Sequence, residues 1–262
     1  MVLIALAIAE RAWPARDDAR PARRQLANLG LVVIDTAVLR LAFPLLATVL
    51  AAQVAARGGG LFGAFDLPLW LEILLALLLF DLAIYWQHRL LHVIPPLWPL
   101  HRVHHSDTAL DVTTGVRFHP FEIALSAAIK LGLVVVIGPH PAAVVLFEVL
   151  LSATSLLTHA DFAFQPRVER VLRWCIVTPS MHRIHHSARR EETDSNFGFN
   201  LSLWDRVFGS YRARPLQPEV SMPIGLLQWR DPGALGLWPL LLQPFRRPPA
   251  RQAVSEEDPH DA

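Results

Sequence analysis

Eight histidines of this 262-residue chain fall into three short clusters. His88 and His92 read H-x-x-x-H in YWQHRLLH, and His101, His104 and His105 read H-x-x-H-H in LHRVHHS. His182, His185 and His186 repeat the second pattern in MHRIHHS. Residues at i, i+3 and i+4 share one helical face, so each cluster aims two or three imidazoles at one spot. Neutral imidazole is a good ligand for zinc, copper, iron and nickel. Eight such ligands exceed the four of a tetrahedral zinc, and a two-metal centre is the economical reading.

Other residues extend this set. His159, in Thr158-His159-Ala160-Asp161, ends an apolar block and can complete the ligands. His119, in Arg117-Phe118-His119-Pro120, is a candidate tenth ligand or a close neighbour of the others. Asp81 shares a helical stripe with Tyr85, His88 and His92, and Asp81, Asp111 and Asp161 are expected to accept hydrogen bonds from ligand N–H groups. Arg102 and Arg183 each follow the first histidine of a box, where a positioning role or a head-group contact is expected. His140, flanked by Pro139 and Pro141, and His260 in the tail read as ordinary turn and tail residues.

Several chemistries have no counterpart in the sequence. It carries no H-E-x-x-H, no helical pair of E-x-x-H motifs, no G-x-S-x-G and no P-loop. The single cysteine, Cys175, leaves no partner for an iron–sulfur or rubredoxin-like site and reads as a packed core residue. A net charge of +1 argues against general nucleic-acid binding, which needs a basic excess.

The elements that position these residues are apolar. Hydrophobic residues make up 53% of the chain and charged ones 18%, with a mean hydropathy of +0.34. Four blocks hold most of them: Leu29–Ala56, interrupted by Asp35 and Arg40 with a kink expected at Pro44, then Leu67–Leu91, Phe121–Gly138 and Ala142–Leu157. A bilayer crossing takes about 20 apolar residues, so the first two can span and the last two form a short hairpin about Gly138-Pro139. The fold class expected is all-α and integral to the membrane, with about four transmembrane or membrane-embedded helices. Arginines cluster before the first block (Arg11, Arg16, Arg20, Arg23, Arg24) and after the fourth, from Arg167 to Arg190. The positive-inside rule then puts both termini and the histidine clusters in the cytoplasm. Met1–Ala9 and Leu235–Phe245 read as segments resting on the membrane surface, and the last dozen residues as a disordered tail. Three regions follow: 1–66 with the first membrane helix, a histidine-box core over 67–212, and a proline-rich segment over 213–262.

At the histidine boxes the chain resembles the fatty acid hydroxylase/sterol desaturase superfamily of integral-membrane di-iron oxygenases. The family pattern is H-x3-H, H-x2-HH and H-x2-HH, and all eight histidines match it. The likeness continues through Asp81–Arg89, Arg117–Pro120, Asn196–Asn200, Leu203–Arg206 and Phe208–Tyr211. The resemblance implies a cytoplasmic helical cap over two irons, with His159 the best position for a further ligand and His119 the next. It implies hydroxylation or desaturation of a C–H bond of a lipid or sterol-like substrate, using O2. Electrons are expected from a separate ferredoxin- or cytochrome-type protein, and zinc can replace iron in preparations. The likeness to short bacterial members suggests a bacterial inner membrane. The competing reading is a histidine-rich zinc protein of the membrane, either a transporter or a hydrolase. A transporter predicts ligands strung along a crossing path, and a hydrolase predicts a general base with fewer ligands.

Overall fold

The computed structural model describes residues 1–43 and 46–247, and among these the regular structure is helical, with isolated bridges but no strand. The kink expected at Pro44 and the tail with His260 lie outside the described residues. In chain order the helices are α1 (Val2–Ala12), α2 (Ala22–Ala42), α3 (Ala47–Ala56), α4 (Leu69–Val93), α5 (Trp98–His105), α6 (Pro120–Ile137), α7 (Pro141–His159), α8 (Pro166–Leu172), α9 (Pro179–His185), α10 (Arg190–Thr193), α11 (Leu203–Val207) and α12 (Leu237–Leu242).

Four segments are long and apolar enough to cross a bilayer: Ala22–Ala56, which contains α2 and α3, then α4, α6 and α7. Proline at the first position starts α6 and α7, with the His119 and His140 rings accepting from the Phe121 and Ala142 N–H groups. Gly138 ends α6 at φ 64°, a left-handed conformation that suits a residue without Cβ. The first span starts at Ala22 rather than Leu29. Arg23, Arg24 and Gln25 depress hydropathy there, yet Arg24 is wholly buried among partners that hydropathy cannot register.

α2 packs against α6, α3 against α6 and α7, and α4 against α7. Their shared core holds Phe80 stacked on Phe147 at 5.0 Å, with Ala51, Ala76 and Ala143 allowing close helix approach. The outward faces carry exposed Val33, Leu41, Leu74, Val136 and Val149, the surface expected where lipid is the solvent. At one end Leu61 N–H donates to the Val136 carbonyl (2.8 Å), and His140 N–H to Glu72 (2.6 Å). The clustered histidines occupy the other end.

There α5 and α8 to α11 form a cap with many buried polar groups. Arg24 donates to Asp107 (2.7 Å) and pairs with Asp111, while Arg117 reaches Asn28 (2.9 Å), Ser106 (2.8 Å) and the Val103 carbonyl (2.8 Å). Burial pushes the Arg117 guanidinium down to about 10, which still leaves it charged at neutral pH. α12 packs on α2, burying Leu240 with Ala27, Leu31 and Val103, while Trp238 remains exposed. Cys175 is exposed rather than packed, because it follows α8 on the cap surface beside exposed Trp174.

Candidate metal centre

Nine histidines converge in two groups. His88, His92, His101, His105 and His185 form one, and His104, His159, His182 and His186 the other, with ligand atoms in each group within 4.8 Å of one another. Each H-x-x-H-H box therefore divides between the groups. In α5, His101 and His105 face the first and His104 the second; in α9 and its cap, His185 faces the first and His182 and His186 the second. The i, i+4 pair His88 and His92 on α4 completes the five, and His159 at the end of α7 completes the four.

The rings are fixed from behind. His88 Nδ1–H donates to the Phe197 carbonyl (2.8 Å), His104 to Arg117 (3.1 Å), His159 to Ser155 (2.6 Å) and His185 to Ser195 (2.7 Å). His101 Nδ1 instead meets the Glu122 carboxylate at 2.7 Å. Such bonds set the tautomer that leaves each Nε2 as a bare lone pair. Burial above all, aided by neighbouring rings, holds His104, His105, His182 and His186 well below the usual histidine range. These imidazoles are neutral at physiological pH and available as ligands.

The fit to a metal rests on atoms that lack any other partner. Nε2 of His88, His92, His101, His105 and His185 is buried without a hydrogen bond, and His92 Nδ1 stands 3.5 Å from the Asp194 carboxylate. In the second group, the Nε2 atoms of His104 and His159 face each other at 3.0 Å, as do those of His159 and His182, while His186 lies 3.2 Å from His159 and His182. With their Nδ1–H groups committed to carbonyls, His104 and His159 present two opposed lone pairs, an arrangement that repels unless a cation lies between. Four nitrogens around one ion at about 2.0–2.1 Å would stand about 3.3 Å apart.

The remaining candidate residues stand outside the two groups. His119 belongs to neither group: its ring caps α6, and its Nε2 lies 3.2 Å from the Leu241 carbonyl. Asp81, Asp111 and Asp161 touch no histidine. Asp81 accepts from Asn200 Nδ2 (2.8 Å) and Trp204 Nε1 (2.9 Å), anchoring the loop whose Phe197 carbonyl holds His88. Asp111 pairs with Arg24, and Asp161 with Arg20 and Arg183. Arg102 is buried and donates to the Arg246 carbonyl (2.7 Å), and Arg183 pairs with Glu219, so both arginines position chain segments rather than meet a head group. Glu122 and the four carbonyls were missed. Backbone acceptors carry no side-chain signal, although Glu122 stands three residues after His119 in an otherwise apolar block.

Beside the first group lies a cavity of about 430 Å³, reached by His88 and His101 and walled by apolar side chains of α2, α4, α6 and α7 such as Leu39, Ile84, Leu91, Ile123 and Leu151.

The fatty acid hydroxylase pattern matches residues 73–210, which include all nine converging histidines, and the chain belongs to that family. It is 29% identical to an ornithine lipid hydroxylase of Rhizobium tropici over 251 residues, covering 95% of this chain and 72% of that protein. It is 33% identical to the human alkylglycerol monooxygenase over 133 residues, 51% of this chain and 29% of that one. It is 27% identical to the mouse cholesterol 25-hydroxylase over 150 residues, 56% of this chain and 49% of that one. No solved structure matches the chain. The family, the apolar helices and the histidine groups together define a helical membrane oxidoreductase with a metal site, related to lipid and sterol hydroxylases.

Proposed function

We propose that the chain is a di-iron oxygenase that hydroxylates a C–H bond of a membrane lipid, using O2 and electrons from a separate donor protein. One observation carries this reading: nine buried imidazoles stand in two adjacent groups, and two of them line an apolar cavity within the spanning helices. His88, His92, His101, His105 and His185 would hold one iron, and His104, His159, His182 and His186 the other. Bound there, the irons supply the oxidising power to break an unactivated C–H bond with O2. Zinc accepts the same imidazoles and is expected as a substitute when iron is scarce.

The chain's own residues do the rest. Glu122 and the carbonyls of Arg117, Ser155, Phe197 and Ser195 hold five rings in the orientation that binds metal. The histidines are buried, which keeps bulk water from the reacting end. Walls of Leu, Ile and Val take an acyl or alkyl chain from the bilayer and direct it toward His88 and His101. The relatives' names favour hydroxylation over desaturation and a lipid over other substrates.

In this reading residues 67–212 form the catalytic unit, supported by α2 and the segment after residue 212. The histidine end faces the cytoplasm of a bacterial inner membrane, in keeping with the arginines that flank the spans. Exposed Arg167, Arg170, Arg189 and Arg190 on the cap offer an acidic ferredoxin- or cytochrome-type donor a complementary surface.

The test is oxygen uptake by iron-loaded protein in nanodiscs made from host lipids, with a chemical reductant and ¹⁸O2. The expected result is reductant-dependent uptake and a lipid product carrying one labelled oxygen atom. Iron-loaded protein that leaves every lipid unlabelled would overturn the proposal.

A further inference from the structure

The cavity beside the five-histidine group is apolar along most of its wall, but three carboxylates break that wall, and two of them, Asp35 and Glu122, have no cation paired with them. Asp35 on α2 is 7% exposed and Glu122 on α6 is 3% exposed, and both line the cavity. Asp35 Oδ1 is buried with no hydrogen-bond partner among the described residues. Glu122 gives Oε1 to His101, while its Oε2 is likewise buried and without a partner. The two groups are near enough to interact electrostatically. An unpaired carboxylate within a bilayer span is costly, and its retention marks a binding role by default.

Three donors along the cavity have partners of their own. Lys130 is paired with Glu148 at 2.9 Å, Gln87 donates to Ser126 (2.5 Å), and Thr36 donates to the Val32 carbonyl (2.7 Å). Asp35, Glu122 and Glu148 face a single cation, Lys130, so carboxylates outnumber cations by two along the cavity. A donor brought from outside would satisfy these oxygens, and a positive one would also balance the charge. A hydroxyl has one proton to donate, whereas a primary ammonium has three and carries the charge that complements a carboxylate.

We infer that Asp35 and Glu122 form a receptor for a primary amine, and that the lipid taken by this site carries an amino group that is held beside the five-histidine group. This deepens the proposed lipid hydroxylation and rests on it for the word substrate. Asp35 is then a specificity-determining residue: it touches the bound lipid but not the metal ligands. Glu122 has two tasks, orienting His101 through one oxygen and receiving the amine through the other.

The test compares dodecylamine with dodecanol, two probes that differ in head group and share a chain, by native mass spectrometry of the full-length protein released from detergent. Wild-type protein is expected to bind the amine at least about tenfold more tightly than the alcohol, the scale of a charge-assisted hydrogen bond. Asp35→Asn should abolish that preference while leaving alcohol binding and metal content unchanged. Direct coordination of the amine by metal would survive Asp35→Asn, so a preference that persists in the variant overturns the inference, as does equal binding of the two probes by wild type. If Asp35→Asn does not fold, Asp35→Ser serves the same comparison, and the wild-type ratio decides alone if neither folds. The two proposals fail separately. Protein that oxygenates a neutral lipid but shows no amine preference loses only this inference. Protein that prefers the amine yet never oxygenates lipid when loaded with iron loses the catalytic reading.

Discussion

At the scale of single residues, the centre depends on rings that are buried, neutral and held from behind. Burial drives His185 down to about 3, against the opposing pull of the Ser195 carbonyl, and His104, His105, His182 and His186 lie well below their usual range for the same cause. In an unfolded chain these rings take up a proton near pH 6.5, so between about 6.5 and their folded values the unfolded state binds more protons. Stability therefore rises with pH across that window and is lost as pH falls. Metal-free protein in detergent is expected to melt at steadily lower temperature as the buffer is taken from about pH 7.5 to about pH 5. A melting temperature that stays level across that range would show that the rings protonate freely in the folded state. The convergence of the histidines was legible in the sequence because a metal would need several imidazoles at helical spacing, and such spacing seldom arises by accident. Their supports were not. Asp81, Asp111 and Asp161 are of the right type but serve Asn200 and Trp204 or arginines, because the ring N–H groups found carbonyls and Glu122 instead.

At the scale of elements, each histidine is only as well placed as the backbone behind it. Gly115 shows how tightly this is set. A Cβ there would stand 2.6 Å from the Ser155 carbonyl oxygen, the atom that receives the His159 Nδ1–H. Backbone of α7 cannot swing aside as a flexible side chain could. Gly115→Ala is expected to displace that carbonyl, lower the affinity of the four-histidine group for metal by about tenfold or more, and leave the five-histidine group loaded. Metal content after dialysis checks this: about one ion per chain is expected in place of two, and retention of both at wild-type affinity would contradict it. The loop from Asn196 to Tyr211 has a comparable task. Asp205 accepts from the Phe197 and Gly198 N–H groups at 2.7 and 2.8 Å, and Asn196 Nδ2 donates to the Met181 carbonyl (3.1 Å), so the stretch after the third box orients His88 and supports α9. The spans were legible from hydropathy to within a few residues, except at Ala22. That helix start depends on Arg24, whose partners Asp107 and Asp111 lie far along the chain.

At the scale of the whole molecule, four apolar segments carry a polar cap at one end, and the turns at the other end close on each other. A Cβ on Gly138 would stand 2.2 Å from the Gly59 carbonyl oxygen, so the chain after α3 and the α6–α7 turn share that far end. The proposed orientation, which follows the arginine distribution, puts the far end outside. Alkaline phosphatase, active only outside the cytoplasm, should therefore work when fused after Phe62 and fail when fused after Arg247. The reverse pattern would invert the orientation while leaving the metal site intact. The proposed lipid oxygenation would use this division, with apolar helices to receive the lipid and the cap to hold the metals. The most direct measurement of the central claim is iron stoichiometry with Mössbauer spectroscopy on anaerobically purified, iron-loaded protein. Two irons per chain forming an antiferromagnetically coupled pair when oxidised are predicted. A single metal per chain, or zinc that iron cannot displace, would contradict it.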